Sequence, residues 1–396
     1  RLQKEENMGD FTKLDDLLTG FAGKTLPGCA CVIRKGNEIL HESYAGWADI
    51  EQKTAVDRES VFRQASTTKL FTYAIMGMLY EEGKFLFSDP VSEYLPEWRH
   101  TVRWQRRENG TIELVPLEHP ITVRDAAAMM CGLPYCMFPD PNAADPTVKG
   151  MSEKMEQLLK NGTPTLREEV RQMAEVPVYF EPGTHWLYGF GSEIIGAIVE
   201  EITGKPLRVS FSERLIEPLG LKDTGTCLTP KIRKHLVTMY RKEHGILHAL
   251  GKEADASLEP DAVPAGARVQ LLTSAGDFSI FMSMLANGGK YDGVRYLAEG
   301  TVRMLTSDQL DESTRRDFEN PYLAGYGYGL GFRVLKRQAG GFHNGHPGAF
   351  GWTGGTGTWV EADPITGISI AYMHNMIPNE ELYHHHRMRN VVYGCL

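Results

Sequence analysis

In the stretch VFRQASTTKLFTYAIMGMLYEEG, Val61 to Gly83, Ser66 and Lys69 stand three residues apart where a long apolar run begins. Nowhere else in the chain does a lysine follow a serine at that spacing. Residues three apart on a helix share a face, so the two side chains would point the same way. A serine hydroxyl is a weak nucleophile until a neighbouring base takes its proton. A lysine serves as that base where burial or nearby cations favour its neutral form, and Phe62, Leu70 and Phe71 supply apolar surroundings. A first-turn position would add the positive potential and N–H groups of a helix N-terminus. An N-cap serine followed by a solvated lysine fits the same residues. The pair alone leaves both readings open.

The elements that must position this pair can be read from pattern. FTKLDDLLTGFAG is an amphipathic opening helix, and GCACVIRKGNEILHESYAGWAD alternates and turns at Lys35-Gly36-Asn37, a hairpin signal. The run from Thr67 to Glu82 is apolar nearly all round and stops at Gly83, which predicts a buried helix. From about Asp89 to Leu228 the chain reads as mainly helical, with Ser192 to Gly204 and then Ser274 to Gly289 as further helices. YGLGFRVL, GTGTWVEAD and ISIAYMHN are strand-like, and a closing helix is expected from about Asn379 to Tyr393. Strands at both ends with helices between them predict an α+β fold, an antiparallel sheet built from both termini plus an inserted helical lobe. The approximate lobes are 10–88 with 229–396, and 89–228. A ligand site is expected in the cleft between them.

With these pieces together, the chain resembles the class C β-lactamase and penicillin-binding-protein-like serine hydrolases, including the family VIII carboxylesterases, from about Asp15 to the last strand. The segments that carry the likeness are GKFLFSDPVSEYLPEW, ITVRDAAAMMCGLPY, FSERLIEPLGLKDTGT and TSAGDFSIFMSMLANGG. The resemblance implies three motifs. Ser-x-x-Lys is intact as Ser66-Thr67-Thr68-Lys69. Tyr-x-Asn appears within FEPGTHWLYGFGSEIIG as Tyr188, with Phe190 where the asparagine would stand. Lys-Thr-Gly appears within GWTGGTGTWVEADP as Trp352-Thr353-Gly354.

On this resemblance Ser66 is the nucleophile, Lys69 and Tyr188 are general base and acid, and the N–H groups of Ser66 and Gly355 form the oxyanion hole. Read without it, Tyr188 fits a buried aromatic capping a backbone group, and Gly354 and Gly355 fit a strand bulge. Phe190, Trp352, Thr353 and Gly354 are then the expected substrate-binding residues. Phe190 and Trp352 remove polar anchors for an amide and a carboxylate and put aromatic surface in their place. The reading that follows is a serine carboxylesterase acting on a small ester, with weak β-lactamase activity as a side reaction. The alternatives are a β-lactamase, a D-aminoacyl peptidase or amidase, an acyltransferase, or a catalytically silent binding protein on the same fold.

The remaining features mostly exclude. The 396 residues carry 42% hydrophobic and 23% charged residues, ordinary for a globular protein, and a net charge of −9 argues against nucleic acid as a partner. Arg99, Arg103, Arg106 and Arg107 fall in a polar insertion, about 99–119, best read as a solvated loop or hairpin. There is no Gly-x-Ser-x-Gly elbow, P-loop or dinucleotide fingerprint. The six cysteines, Cys29, Cys31, Cys131, Cys136, Cys227 and Cys395, show no CxxC spacing and are read as reduced thiols, with Cys29 and Cys31 expected on opposite faces of a strand. His384, His385 and His386 lack an acidic partner motif and are read as a solvated patch rather than a metal site, so no metal or other cofactor is expected. His343 and His346 are candidates to line the cleft, His346 as a supporting residue. No run of 18 apolar residues predicts a membrane span. The opening RLQKEENMGDFTKLDD shows no secretory pattern, so a cytoplasmic location is expected, with Met8 as a candidate start.

Overall fold

The computed structural model describes residues 9–135, 140–160, 164–260 and 270–396. Helix α1 (Thr12–Phe21) buries Leu14, Leu18 and Phe21. The hairpin follows as β1 (Gly28–Lys35) and β2 (Glu38–Asp49), with the short β3 (Thr54–Ala55) beside β2. Its turn passes through Gly36 at φ +56°, a left-handed conformation that glycine adopts without a Cβ penalty. The apolar run begins as a 3-10 turn, Ala65–Thr68, and continues directly as α2 (Lys69–Glu81). Nine of the residues of α2 are buried, in keeping with a sequence apolar all round.

The middle of the chain is not uniformly helical. The polar insertion is a hairpin of β4 (Val102–Arg106) and β5 (Ile112–Pro116). Its alternating charged residues suit a ribbon with a solvated face, and two of its arginines are paired, Arg103 with Glu181 and Arg107 with Glu113. Helix α3 (Gly191–Thr203) ends at Gly204 in the left-handed region, and α4 (Ala275–Ala286) is capped by the Ser274 side chain accepting from the Asp277 N–H.

The C-terminal part supplies β6 (Tyr326–Tyr328), β7 (Arg333–Leu335), β8 (Phe350–Thr353), β9 (Trp359–Asp363), β10 (Ile368–Met373) and α5 (Glu381–Cys395). These join the N-terminal hairpin in one eight-stranded sheet, β6-β7-β8-β9-β10-β1-β2-β3. The two ends of the chain meet at an antiparallel seam where Ala30 faces Met373 and Val32 faces Ala371. The expected sheet from both termini is therefore what forms.

Each face of that seam has its own core. Ala30 and Val32 pack with Phe278, Phe281 and Met282 of α4 and with the apolar side of α2. Cys29, Cys31 and Ile33 pack on the other face with Leu14, Leu18, Met388 and Val392 from α1 and α5. The expectation that Cys29 and Cys31 diverge is thus wrong, because side chains two apart on a strand point to the same side. Both are free buried thiols, as are Cys131 and Cys395, with Cys227 partly exposed; Cys136 lies outside the described residues. Among the described residues no helix is long and apolar enough to cross a membrane.

Candidate active site

Ser66 sits in the 3-10 turn and Lys69 opens α2, so the spacing read from sequence puts both on one face. Lys69 Nζ donates to Ser66 Oγ at 3.2 Å. A hydroxyl in contact with an amine is the pairing that general-base activation of serine needs. The turn is held against its own preference. Ala65 takes φ +46°, a conformation that costs a residue bearing a Cβ roughly 1–2 kcal/mol. Contacts on both sides of it fix it there. The Gln64 N–H donates to the Leu271 carbonyl at 3.0 Å, and Thr67 Oγ1 donates to the Gln64 carbonyl at 2.8 Å.

Tyr188 reaches the same point from the chain that leads into α3. Lys69 Nζ lies 5.2 Å from the Tyr135 ring centre and 5.5 Å from that of Tyr188, between two aromatic walls. The indole Nε1–H of Trp352 on β8 donates to the Tyr188 phenol oxygen at 3.1 Å. That bond occupies an acceptor position on the oxygen and leaves the phenol's own proton to a second partner.

The turn from β8 to β9 forms the opposite wall. A Cβ on Gly354 would stand 2.3 Å from the Gln64 carbonyl oxygen and 2.2 Å from Thr358 Oγ1, so only glycine lets this turn lie against the chain entering Ser66. Thr356 Oγ1 donates to the Arg63 carbonyl at 2.8 Å, and Thr358 Oγ1 donates to the Gln64 carbonyl at 3.1 Å. From behind, His385 Nε2 meets the Gly357 carbonyl at 3.1 Å. A Cβ on Gly355 would meet nothing within 4 Å, and its backbone borders the same space as Ser66. An oxyanion hole demands two rigidly held N–H groups facing one reacting carbonyl, and the backbones of Ser66 and Gly355 both border this space.

Two chambers meet at Ser66, Tyr188 and Gly355. The larger, about 690 Å³, is bordered by Pro134, Tyr135, Leu166, Leu207 and Gln270. The smaller, about 360 Å³, is bordered by Trp186, Trp352, Thr353, Asn379 and Glu381.

Comparison with known proteins fits this geometry. The profile of the Beta-lactamase family matches residues 14–392. The chain belongs to the Beta-lactamase family. Protein Rv1367c of Mycobacterium tuberculosis (strain ATCC 25618 / H37Rv) is 28% identical over 89% of this chain and 87% of its own length. Esterase EstB of Burkholderia gladioli is 25% identical over 89% and 86%. Among solved structures, EstCE1, described as a hydrolase with promiscuous acyltransferase activity, superposes with a TM-score of 0.79 at 22% identity, covering 96% of this chain and 98% of that one. The β-lactamase and penicillin-binding-protein-like fold expected from the motifs is the one this chain has.

Not every expected residue of this Beta-lactamase family member reaches the cleft. Ser66, Lys69, Tyr188, Gly355, Trp352 and Thr353 border it. Phe190 does not: it is fully buried in the core. The chain turns into α3 at this point, with Phe190 already helical at φ −72° and ψ −3°, and its N–H donates to the Leu133 carbonyl at 3.0 Å. The turn carries the ring inward, away from the side that Tyr188 faces. Gly354 also serves close packing rather than substrate contact. His343 and His346 border neither chamber, and His346 instead pairs with Asp363 at 2.6 Å.

His384 and His385 correct a further expectation. They are buried, not solvated, because α5 lies with this face on the sheet. Burial holds the imidazoles of His374, His384 and His385 toward the neutral form, His374 down to about 3. No group among the described residues is arranged to hold a metal ion.

Several bordering residues escaped the sequence reading. Glu193, buried at the start of α3, accepts from Ser192 Oγ at 2.7 Å and from Tyr135 at 3.2 Å. Glu381 opens α5, where burial raises its carboxyl above the usual range while Arg333 and hydrogen bonds from Asn379 and Thr353 oppose that rise. An acidic residue in an otherwise apolar helix start was the available signal for Glu193; nothing local marks Tyr135 or Glu381.

Proposed function

We propose that the protein is a serine carboxylesterase that works through an acyl-enzyme. The observation carrying this reading is the 3.2 Å contact between Lys69 Nζ and Ser66 Oγ, with Tyr188 bordering the same space. Ser66 Oγ attacks the ester carbonyl carbon as its proton passes to the Lys69 and Tyr188 pair. The carbonyl oxygen gains negative charge, which the N–H groups of Ser66 and Gly355 stabilise. The C–O bond to the alcohol breaks, and the alcohol oxygen takes the proton as it leaves. Water then attacks the acyl carbon, giving one proton back through the same groups, and frees the acid and Ser66.

An ester, rather than a β-lactam or a D-alanyl peptide, is supported by the walls of the smaller chamber. Trp352 offers an indole where a lysine would meet a carboxylate, and the carboxylate of Glu381 stands beside it. A substrate carboxylate there would meet no cationic partner among the described lining residues and would face Glu381, at a cost of about 1–3 kcal/mol, which is about tenfold in rate for each 1.4 kcal/mol. Acyl transfer is a second reading, favoured by the two chambers: an acceptor alcohol has its own space beside Ser66 while the acyl group fills the other. The test is a panel of p-nitrophenyl butyrate, nitrocefin and D-alanine amide. We expect kcat/KM to be highest for the ester by about 10²-fold or more. Efficient nitrocefin hydrolysis with negligible ester turnover would replace this reading with the β-lactamase one.

A further inference from the structure

We propose that the smaller chamber selects substrates bearing an ammonium group, quaternary or protonated, on the half of the ester that lies beside Trp352. This rests on the esterase reading and names its substrate class. The chamber combines aromatic surface from Trp186, Tyr188 and Trp352 with a single carboxylate, Glu381. Aromatic faces around a desolvated cation attract it through their quadrupoles, most strongly for tryptophan. A carboxylate at the rim of such a cage supplies the formal counter-charge.

The balance of charge in the chamber runs one way. Among the described residues that border it, none is a lysine, arginine or histidine. The nearby cations lie elsewhere. Lys69 borders the larger chamber. Arg333 is buried behind Tyr322, with its guanidinium 5.1 Å from that ring and 4.8 Å from the Tyr326 ring, and from there its charge favours the ionised form of Glu381 against the burial that raises that carboxyl. Glu381 is held in place by Asn379 Nδ2 and Thr353 Oγ1, at 3.3 and 3.4 Å, both long bonds that leave acceptor capacity on the carboxylate. An uncharged apolar group would fill the space but bring this carboxylate no counter-charge within the chamber. An anionic group would be repelled. A trimethylammonium group meets both the rings and the charge, and the volume of about 360 Å³ accommodates it.

The test compares isosteric esters that differ only in charge. Butyrylcholine is set against 3,3-dimethylbutyl butyrate, and ethyl 4-(trimethylammonio)butanoate against ethyl 5,5-dimethylhexanoate, so that either half may carry the cation. One pair should show kcat/KM about tenfold or more higher for the cationic member, and Glu381→Gln should lower that ratio about tenfold. Tetramethylammonium binding, followed by calorimetry with the Ser66→Ala protein, reads the cage without turnover and should weaken in Glu381→Gln. If neutral esters are hydrolysed in a Ser66-dependent way but neither cationic member is preferred, the cation site is wrong and the esterase reading survives. If tetramethylammonium binds while no ester is turned over, the cage stands and the esterase reading fails. No tetramethylammonium binding up to millimolar concentration overturns the cage in either case.

Discussion

Replacing Trp352 with phenylalanine keeps an aromatic ring in the chamber wall and removes the N–H that meets the Tyr188 oxygen at 3.1 Å. A hydrogen bond between neutral groups contributes about 0.5–1.5 kcal/mol, and one to a charged group about 1.5–3 kcal/mol. If Tyr188 passes a proton during acylation, its oxygen carries negative charge in the transition state and little in the free enzyme. The indole bond then stabilises the transition state more than the ground state by the difference between the two cases, about 1 kcal/mol, roughly 5- to 10-fold in kcat. The lost ring volume also costs stability, so Tm is measured beside kinetics. The assay is kcat and KM for p-nitrophenyl butyrate on Trp352→Phe and Trp352→Lys. We expect kcat to fall about 5- to 10-fold in Trp352→Phe with KM changed far less, and Trp352→Lys to recover part of the loss because lysine restores a donor. A folded Trp352→Phe protein whose kcat stays within about twofold of the parent would refute the role given to the indole.

Lys69→Ala and Tyr188→Phe should each cut kcat by orders of magnitude, and the double variant should be little worse than the worse single one; additive losses in log kcat would mean independent roles. Asp277 offers a pH test of stability. Buried in the first turn of α4, it accepts from the Asp223 N–H at 2.6 Å and from Thr224 at 2.8 Å, and burial lifts its carboxyl from 3.8 to about 6. Between those two values the folded chain keeps a proton the unfolded chain has released, so stability falls as pH rises through the window, by up to roughly 3 kcal/mol. Asp277→Asn should therefore gain in Tm relative to the parent as pH goes from 4 to 7, and a constant difference would contradict the assignment.

The parts of the fold visible in sequence were those fixed by local rules. The Ser66 and Lys69 spacing, the Gly36 turn and the Gly204 helix end each follow from geometry within a few residues. The pattern places the start of the closing helix at about Asn379, two residues before Glu381, because no capping side chain marks that end. What failed depended on direction or on distant chain. The position of Phe190 was matched to a motif, but the inward rotation at the start of α3 decides where its ring goes. Three adjacent histidines look like a polar patch until α5 is laid on the sheet, which buries two of them. Glu381 joins the cleft from a segment more than 300 residues beyond Ser66, and no local pattern announces that.

The central claim is that Ser66 takes the acyl group. Intact-protein and peptide mass spectrometry after reaction with a fluorophosphonate, and after rapid quenching with p-nitrophenyl butyrate, tests it most directly. One adduct should appear, on the peptide containing Ser66, and it should be absent from Ser66→Ala protein that retains the parent's Tm. Turnover of p-nitrophenyl butyrate should fall about 10⁴-fold or more in the same variant. An adduct on another residue, or near-normal turnover by folded Ser66→Ala protein, would contradict the account; no adduct at all would point instead to a catalytically silent protein on this fold.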